Sequence, residues 1–273
     1  MQNITDLNNI ISQVRRDIVR MVHANNSGHP GGSLGCTEFL TALYFQVMNH
    51  NPEFKMDGIG EDLFFLSNGH ISPVFYSVLA RSGYFNVAEL ATFRKLNSRL
   101  QGHPTTHEGL EGVRIASGSL GQGLSVAIGA ASTKKLNNDD SIVYTLHGDG
   151  ELQEGQNWEA IMYAGHKKVG NLCVLVDKNE RAQMGPTDAA CSLDPLVSKF
   201  EAFNFDTYEL DGHNELAIIN TIKSTQESVR PVAIICNTVK GKGISFMEGD
   251  NLWHYRTPKG EDFEKAIQEL SNK

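Results

Sequence analysis

The chain has 273 residues, 32 of them acidic and 24 basic, for a formal charge of −8. That length holds one large domain with a substantial core, and the absence of a basic cluster argues against a nucleic-acid partner. No apolar run reaches transmembrane length, the N-terminus has no apolar leader core, and the four scattered cysteines (Cys36, Cys173, Cys191, Cys236) form no CxxC pair. The expectation is a cytoplasmic protein with no membrane partner and no disulfide framework.

Taken in chain order, Leu7, Ile10, Ile11, Val14, Ile18, Met21 and Val22 recur at three- and four-residue steps, which predicts a helix over 6–26. Residues 25–35 read as a glycine-rich break, and a second helix follows over 36–48. A short strand over 62–66 ends in Ser67-Asn68-Gly69-His70, and Ser72-Pro73 opens another helix, proline being favoured at a helix start. Residues 88–96 read as helix and 97–123 as a long polar loop, a length that usually signals function. A small-residue helix spans 121–135. Strands over 142–146 and 171–177 flank a helix that begins between Gln156 and Glu159. Residues 179–194 read as loop, 194–203 as helix, 208–210 as strand, 214–228 as helix and 232–239 as a final buried strand. Strands alternating with helices predict an α/β fold: a mainly parallel sheet with helices on both faces, in a single domain over 1–273.

The most informative stretch is His147-Gly148-Asp149-Gly150-Glu151, with Asn179 thirty residues after Asp149. Each half follows an apolar strand, so an acid and an amide arrive at one sheet edge, where α/β domains bind ligands. A carboxylate, an amide oxygen, a backbone carbonyl and a diphosphate suit a hard octahedral cation such as Mg²⁺, and glycine lets the backbone approach phosphates. Alone, Asp-Gly is a common turn. Five histidines (His29, His70, His103, His147, His254) occupy glycine-rich or strand-end settings, where imidazole can bond phosphate or move a substrate proton.

This GDG…N pattern is the thiamine diphosphate signature, and the residues around it resemble transketolases along nearly the whole chain. The matching stretches are 27–31 (SGHPG), 66–70 (LSNGH), 102–104 (GHP), 118–123 (GSLGQG), 148–150 with 152–155 (GDG, LQEG), 163–166 (YAGH) and 240–246 (KGKGISF). The resemblance implies a thiamine diphosphate-binding fold and a role as part of a transketolase, which moves a two-carbon ketol unit from a ketose phosphate to an aldose phosphate. It implies that Asp149, Asn179 and the Arg181 carbonyl bind Mg²⁺, or Ca²⁺ or Mn²⁺ in its place. Gly150, His70 and His254 would meet the diphosphate, and Gly118 and Leu120 the pyrimidine side. His29 and His103, with His254, would act on the substrate. Glu154 would lie beside the cofactor at a contact between subunits, with an ordinary helix-start acid as its alternative. In this family a glutamate on a second domain activates the pyrimidine, and no motif carrying it is present here. The resemblance therefore implies a partner: a C-terminal subunit bearing that glutamate, in an α2β2 assembly.

The chain departs from the family after Asn179, where it reads Glu180-Arg-Ala-Gln-Met-Gly185, and after His254, where Tyr255 and Arg256 follow. These departures keep open a split transketolase for a modified sugar, sulfonated or branched, with Arg256 meeting an anionic group; the alternative is that both residues are loop surface. A deoxyxylulose-phosphate-synthase-like enzyme, a lipoyl-coupled dehydrogenase and a non-catalytic cofactor-binding subunit are the remaining readings.

Overall fold

The computed structural model describes residues 4–271. Five parallel strands form one sheet: β1 (Leu63–Leu66), β2 (Val143–Gly148), β3 (Leu172–Lys178), β4 (Asp206–Asp211) and β5 (Val232–Asn237), in the order β1-β2-β3-β5-β4. The central strands pair in register from Val143 opposite Leu172 and from Cys173 opposite Val232.

Side chains alternate across the sheet, so each strand feeds two cores. Phe64, Leu66, Tyr144, Leu146, Cys173, Leu175, Ile234 and Cys236 face one core. It is shared with α1 (Ile4–Ala24), α2 (Pro30–Gly35), α3 (Thr37–Ala42) and α4 (Ser72–Arg81). Leu63, Phe65, Val143, Val174, Val176 and Ile235 face the other, shared with α5 (Gly123–Leu136) and α6 (Gly155–Lys167). A short α7 (Thr187–Cys191) precedes α8 (Leu196–Ala202), which joins the second core through Leu196 and Phe200. α9 (Glu215–Ser224) and α10 (Glu261–Ser271) join the first through Ile218, Ile222, Ala266 and Leu270. Strands covered on both faces carry near-continuous apolar runs, whereas the edge strand β4 is only half-buried and more polar.

Polar ties fix the first layer. Asp17 on α1 accepts from Arg81 Nε at 2.6 Å and Nη2 at 2.9 Å, and from Ser77 Oγ at 2.7 Å, which locks α1 onto α4. Arg16 Nη1 donates to the Leu270 carbonyl at the end of α10, and His23 stacks on Phe263.

Several expectations are corrected in detail. The glycine-rich break holds a buried helix, α2, because Pro30 starts it and Gly31 and Gly32 let it press on Trp253 and Ile71. The second helix stops being α-helical at Ala42 and finishes as a π-turn over Leu43–Val47. Residues 87–92 form a 3₁₀ turn capped by the Asn86 side chain, rather than an α-helix. The 179–194 loop contains α7. No element is expected from the sequence after residue 239, yet α10 carries Phe263, Ala266, Ile267 and Leu270 at helical spacing and packs them on α1.

Helix α6 passes tightly beside the Phe203 carbonyl, and a side-chain carbon at Gly165 would overlap it. Gly165→Ala is therefore expected to destabilise the chain by about 3 kcal/mol or more, at the upper end of overpacking costs, as read by urea denaturation. An alanine at the open position Gly129, which has nothing nearby, serves as control.

Candidate active site

β1 and β5 send the chain onward to the face carrying α4 and α10, whereas β2 and β3 send it to the opposite face carrying α6 and α8. Connections that diverge in this way open a crevice at the carboxyl ends of the strands. There a cavity of about 420 Å³ is lined by His29, His70, His103, Gly118, Leu120, Asp149, Gly150, Asn179, Arg181 and His254. Ten of the eleven site residues expected from the sequence thus meet in one place. Glu154 does not: it is exposed at the N-cap of α6, outside the cavity lining. His147 is also outside it, fully buried beneath the β2 end.

The loops are held in register by Glu151, which is 2% exposed. Its carboxylate accepts from Ser67 Oγ at 2.5 Å, Gly121 N at 2.9 Å and Gly148 N at 3.2 Å, and faces His147 Nδ1 at 3.4 Å. Each donor belongs to a different cavity-forming segment: the end of β1, the 118–123 turn and the GDG turn. The imidazole and these donors outweigh burial and hold the Glu151 carboxyl below its ordinary range.

Asp149 accepts from Gly150 N at 2.7 Å and Glu180 N at 2.5 Å. Behind Asn179 stands Asp177, which accepts the Asn179 amide N–H at 2.7 Å and so turns that amide's oxygen away from itself. Burial, reinforced by Asp177, pushes Asp149 up to about 7, and burial also raises Asp177. One ammonium, Lys240, faces both carboxylates and is itself pushed down to about 8 by burial. Two buried acids facing one buried base hold on to protons for want of counter-charge, and a divalent cation would supply it. Lys240 Nζ also donates to the Arg181 carbonyl at 2.9 Å and to His254 Nδ1 at 2.8 Å. Because His254 Nδ1 accepts, its proton sits on Nε2, a donor available to a ligand.

The four cavity histidines form a cluster, with ring centroids of His29 at 5.4 Å from His70, 6.1 Å from His103 and 5.4 Å from His254. Burial first, then neighbouring positive groups, lowers His29 to about 4 and His70 and His254 to about 3, and lowers His103 as well. At neutral pH they are uncharged hydrogen-bonding groups. His29 Nδ1 and Asn68 Oδ1 are buried without protein partners, positions that water or polar ligand atoms would satisfy. Gly118 has a left-handed φ of 126°, and a side-chain carbon there would meet the His103 ring at 2.5 Å.

Lys240, Asp177, Asn68 and Glu151 were missed as functional residues. Lys240 lay inside the KGKG match and Asp177 two residues before Asn179; nothing in the spacing told which of these side chains turn inward. The loop after Asn179 folds into a tight antiparallel turn bridging Arg181 and Pro186, with Ala182 N donating to Gly185 O at 2.8 Å. Gln183 and Met184 stand at the cavity wall, Met184 almost wholly exposed. Arg256 stacks over Trp253 at 5.0 Å and pairs with Asp262 at 3.5 Å, and neither it nor the exposed Tyr255 lines the cavity.

Fold and site define a parallel α/β domain with a histidine-lined, cofactor-sized cavity at its strand ends. The sequence matches the family described as transketolase, thiamine diphosphate binding domain, over residues 7–271. It is 40% identical over 261 residues to an apulose-4-phosphate transketolase subunit of Actinobacillus succinogenes, covering 95% of this chain and 94% of that one. It is 35% identical to the 6-deoxy-6-sulfo-D-fructose transketolase subunit of a Clostridium species, covering 97% and 96%. Human transketolase is 34% identical, over 98% of this chain but 42% of its own. The crystal structure of Campylobacter jejuni transketolase superposes with a TM-score of 0.92 at 33% identity, over 99% of this chain and 43% of that one. The chain belongs to the transketolase family. Among the described residues, no helix is long and apolar enough to cross a membrane.

Two outcomes follow from the site's electrostatics. His70 has a folded value near 3 against 6.5 when unfolded, so below about pH 6.5 protons bind the unfolded chain preferentially. Its stabilising contribution is complete above that pH and lost as pH falls toward 3. Asp149 titrates in the opposite sense, so the comparison is with His70→Gln: the stability difference should move against wild type between pH 6.5 and 4.5 in urea titrations. Glu151→Gln, which removes the charge facing His147 and presents an N–H to a backbone donor, should cost about 3 kcal/mol and weaken thiamine diphosphate binding in calorimetry.

Proposed function

We propose that this chain is the diphosphate-side subunit of a split transketolase, transferring a two-carbon ketol unit from a ketose phosphate to an aldose phosphate. The observation that carries this reading is the convergence of Asp149, Asn179, the Arg181 carbonyl and four neutral histidines on one cavity. Asp149 and Asn179 side-chain oxygens and the Arg181 carbonyl would hold Mg²⁺, or Ca²⁺ or Mn²⁺. The buried acid pair, short of counter-charge, and the oxygen-only donor set fit such an ion. Gly150 N–H, His70 and the Nε2–H of His254 would bond the diphosphate, while Gly118 and Leu120 would border the pyrimidine. When bound, thiamine diphosphate serves as the electron sink for cleaving a carbon–carbon bond.

His29 and His103 would bond the sugar hydroxyls, with His254 beside them. Held uncharged, each imidazole can take a hydroxyl proton and return it, which is what making and breaking a bond next to a carbinol requires. His103 stands at the exposed rim, His29 deeper, so the pair spans the path a substrate enters.

A second subunit is part of the proposal. The acids at the cavity, Asp149, Glu151 and Asp177, are all engaged by hydrogen bonds within the fold, which supports a carboxylate for the pyrimidine supplied from outside these residues. Relatives of the same length are named as subunits. A C-terminal transketolase subunit carrying that glutamate, in a cytoplasmic α2β2 assembly, would complete the site, and Glu154, exposed at the α6 start, would lie at a contact between subunits. The general sugar set is that of pentose phosphate interconversion. A second reading, a branched or sulfonated ketose as donor, is favoured by those half-length relatives, named for apulose 4-phosphate and a sulfofructose. Arg256 stacks on Trp253 and pairs with Asp262 outside the cavity lining, so its place in this subunit does not add support for it as the anion reader.

Ketol transfer measured with thiamine diphosphate and Mg²⁺ should appear only when this chain is mixed with the partner subunit, and activity of the chain alone would refute the shared site. Running xylulose 5-phosphate, apulose 4-phosphate and sulfofructose as donors separates the two sugar readings. Asp149→Ala should abolish Mg²⁺-dependent cofactor binding in the assembled protein, and an unchanged cofactor Kd would remove the metal assignment.

A further inference from the structure

Three buried or half-buried arginines have acid partners: Arg15 meets Glu38, Arg81 meets Asp17 and Arg114 meets Glu61. Arg94 does not. Among the described residues it forms no ion pair, and its Nε is buried without a hydrogen-bond partner. Its backbone takes a left-handed φ of 58°, which carries the side chain back between two loops. Nη1 donates to Ser27 Oγ at 2.6 Å, two residues before His29, and Nη2 donates to the Gly102 carbonyl at 3.4 Å, one residue before His103. Gly102 permits this approach, since a side-chain carbon there would meet the guanidinium at 2.7 Å. The same segment is tied on both sides: the Asn25 side chain donates to the Phe93 carbonyl, and Arg94 N donates to the Leu100 carbonyl at 2.9 Å.

An unpaired, half-buried cation is costly, and its planar fork reaches Ser27 and the Gly102 carbonyl with separate nitrogens, which a lysine's single ammonium does not reproduce. We propose that Arg94 is a positioning residue for ketol transfer: its guanidinium holds the His29 and His103 loops in register, and its uncompensated charge opposes a second positive charge on either ring. This rests on the reading that His29 and His103 face the substrate. The titratable and charged groups facing His29 are Arg94, His103, Lys240, His70 and His254; those facing His103 are Arg94 and His29. No carboxylate is among them. After burial, Arg94 is the largest influence lowering both histidines. Arg94 is outside the cavity lining, so it acts through the imidazoles and not on the substrate.

The test compares Arg94→Met, which loses charge and fork, with Arg94→Lys, which keeps the charge. The first readout is the imidazole titration of His29 and His103 by NMR in the full chain, assigned with His29→Gln and His103→Gln. The second is kcat, substrate KM and cofactor Kd in the assembled enzyme. Arg94→Met should move both titrations to higher pH and lower kcat on the order of tenfold or more, with cofactor Kd within about twofold. Arg94→Lys should leave the titrations near wild type while kcat still falls. Unmoved titrations in Arg94→Met, or a loss of cofactor affinity and melting temperature in step with kcat, would overturn the proposal. Were the methionine variant to unfold, Arg94→Gln carries the same comparison. Shifted titrations in a wild-type assembly with no ketol transfer would refute the functional reading while upholding the action of Arg94 on the two rings.

Discussion

The Glu151 carboxylate is where the architecture becomes a site. Three segments far apart in sequence, ending β1, preceding α5 and ending β2, donate to one buried side chain. Each backbone or hydroxyl donor would be left unpaired in a dry interior without it, at a cost of about 1–3 kcal/mol apiece. That penalty makes the relative placement of the loops all-or-none. His70, Gly118 and Gly150 sit on those segments, so their spacing depends on one buried carboxylate at the cavity floor.

Around this node the charges are arranged in two zones. On the β2–β3–β5 side, Asp149 and Asp177 outnumber Lys240, a setting that favours a cation and, through it, a diphosphate. On the other side the histidines are stripped of charge by burial and by Arg94 and Lys240. Neutral imidazoles adjoining a site for a charged cofactor can exchange protons without carrying a net charge into the substrate pocket. The two zones meet at His254, whose Nδ1 is satisfied by Lys240 and whose Nε2–H is left for ligand.

Much of this was legible from residues alone. Strands 143–148 and 172–178 could be read because continuous apolar runs ended in Gly-Asp-Gly and Asp-Lys-Asn, and the parallel sheet followed from alternation with helices. The α1 stripe was equally plain. What failed were segments whose structure is made by contact. The buried α2 looks like a loop because glycines enable its packing on Trp253 and Ile71, whereas the helical spacing of Phe263, Ala266, Ile267 and Leu270 makes α10 legible, and its omission has no such physical cause. Among the site residues, Asp149 and Asn179 were readable from motif and spacing; Lys240, Asp177 and Asn68 were not, since many polar residues share those segments and only direction separates them.

By itself the sequence determined the fold class, the family resemblance and the strand ends where chemistry gathers, because periodicity and short motifs are local. The tertiary structure decided which side chains face one another: Glu154 turned outward, Arg256 was taken up by Trp253 and Asp262, and Arg94 was left unpaired behind two histidines. Those outcomes depend on burial and on distances between loops separated by tens of residues, and a linear order of residues does not carry them.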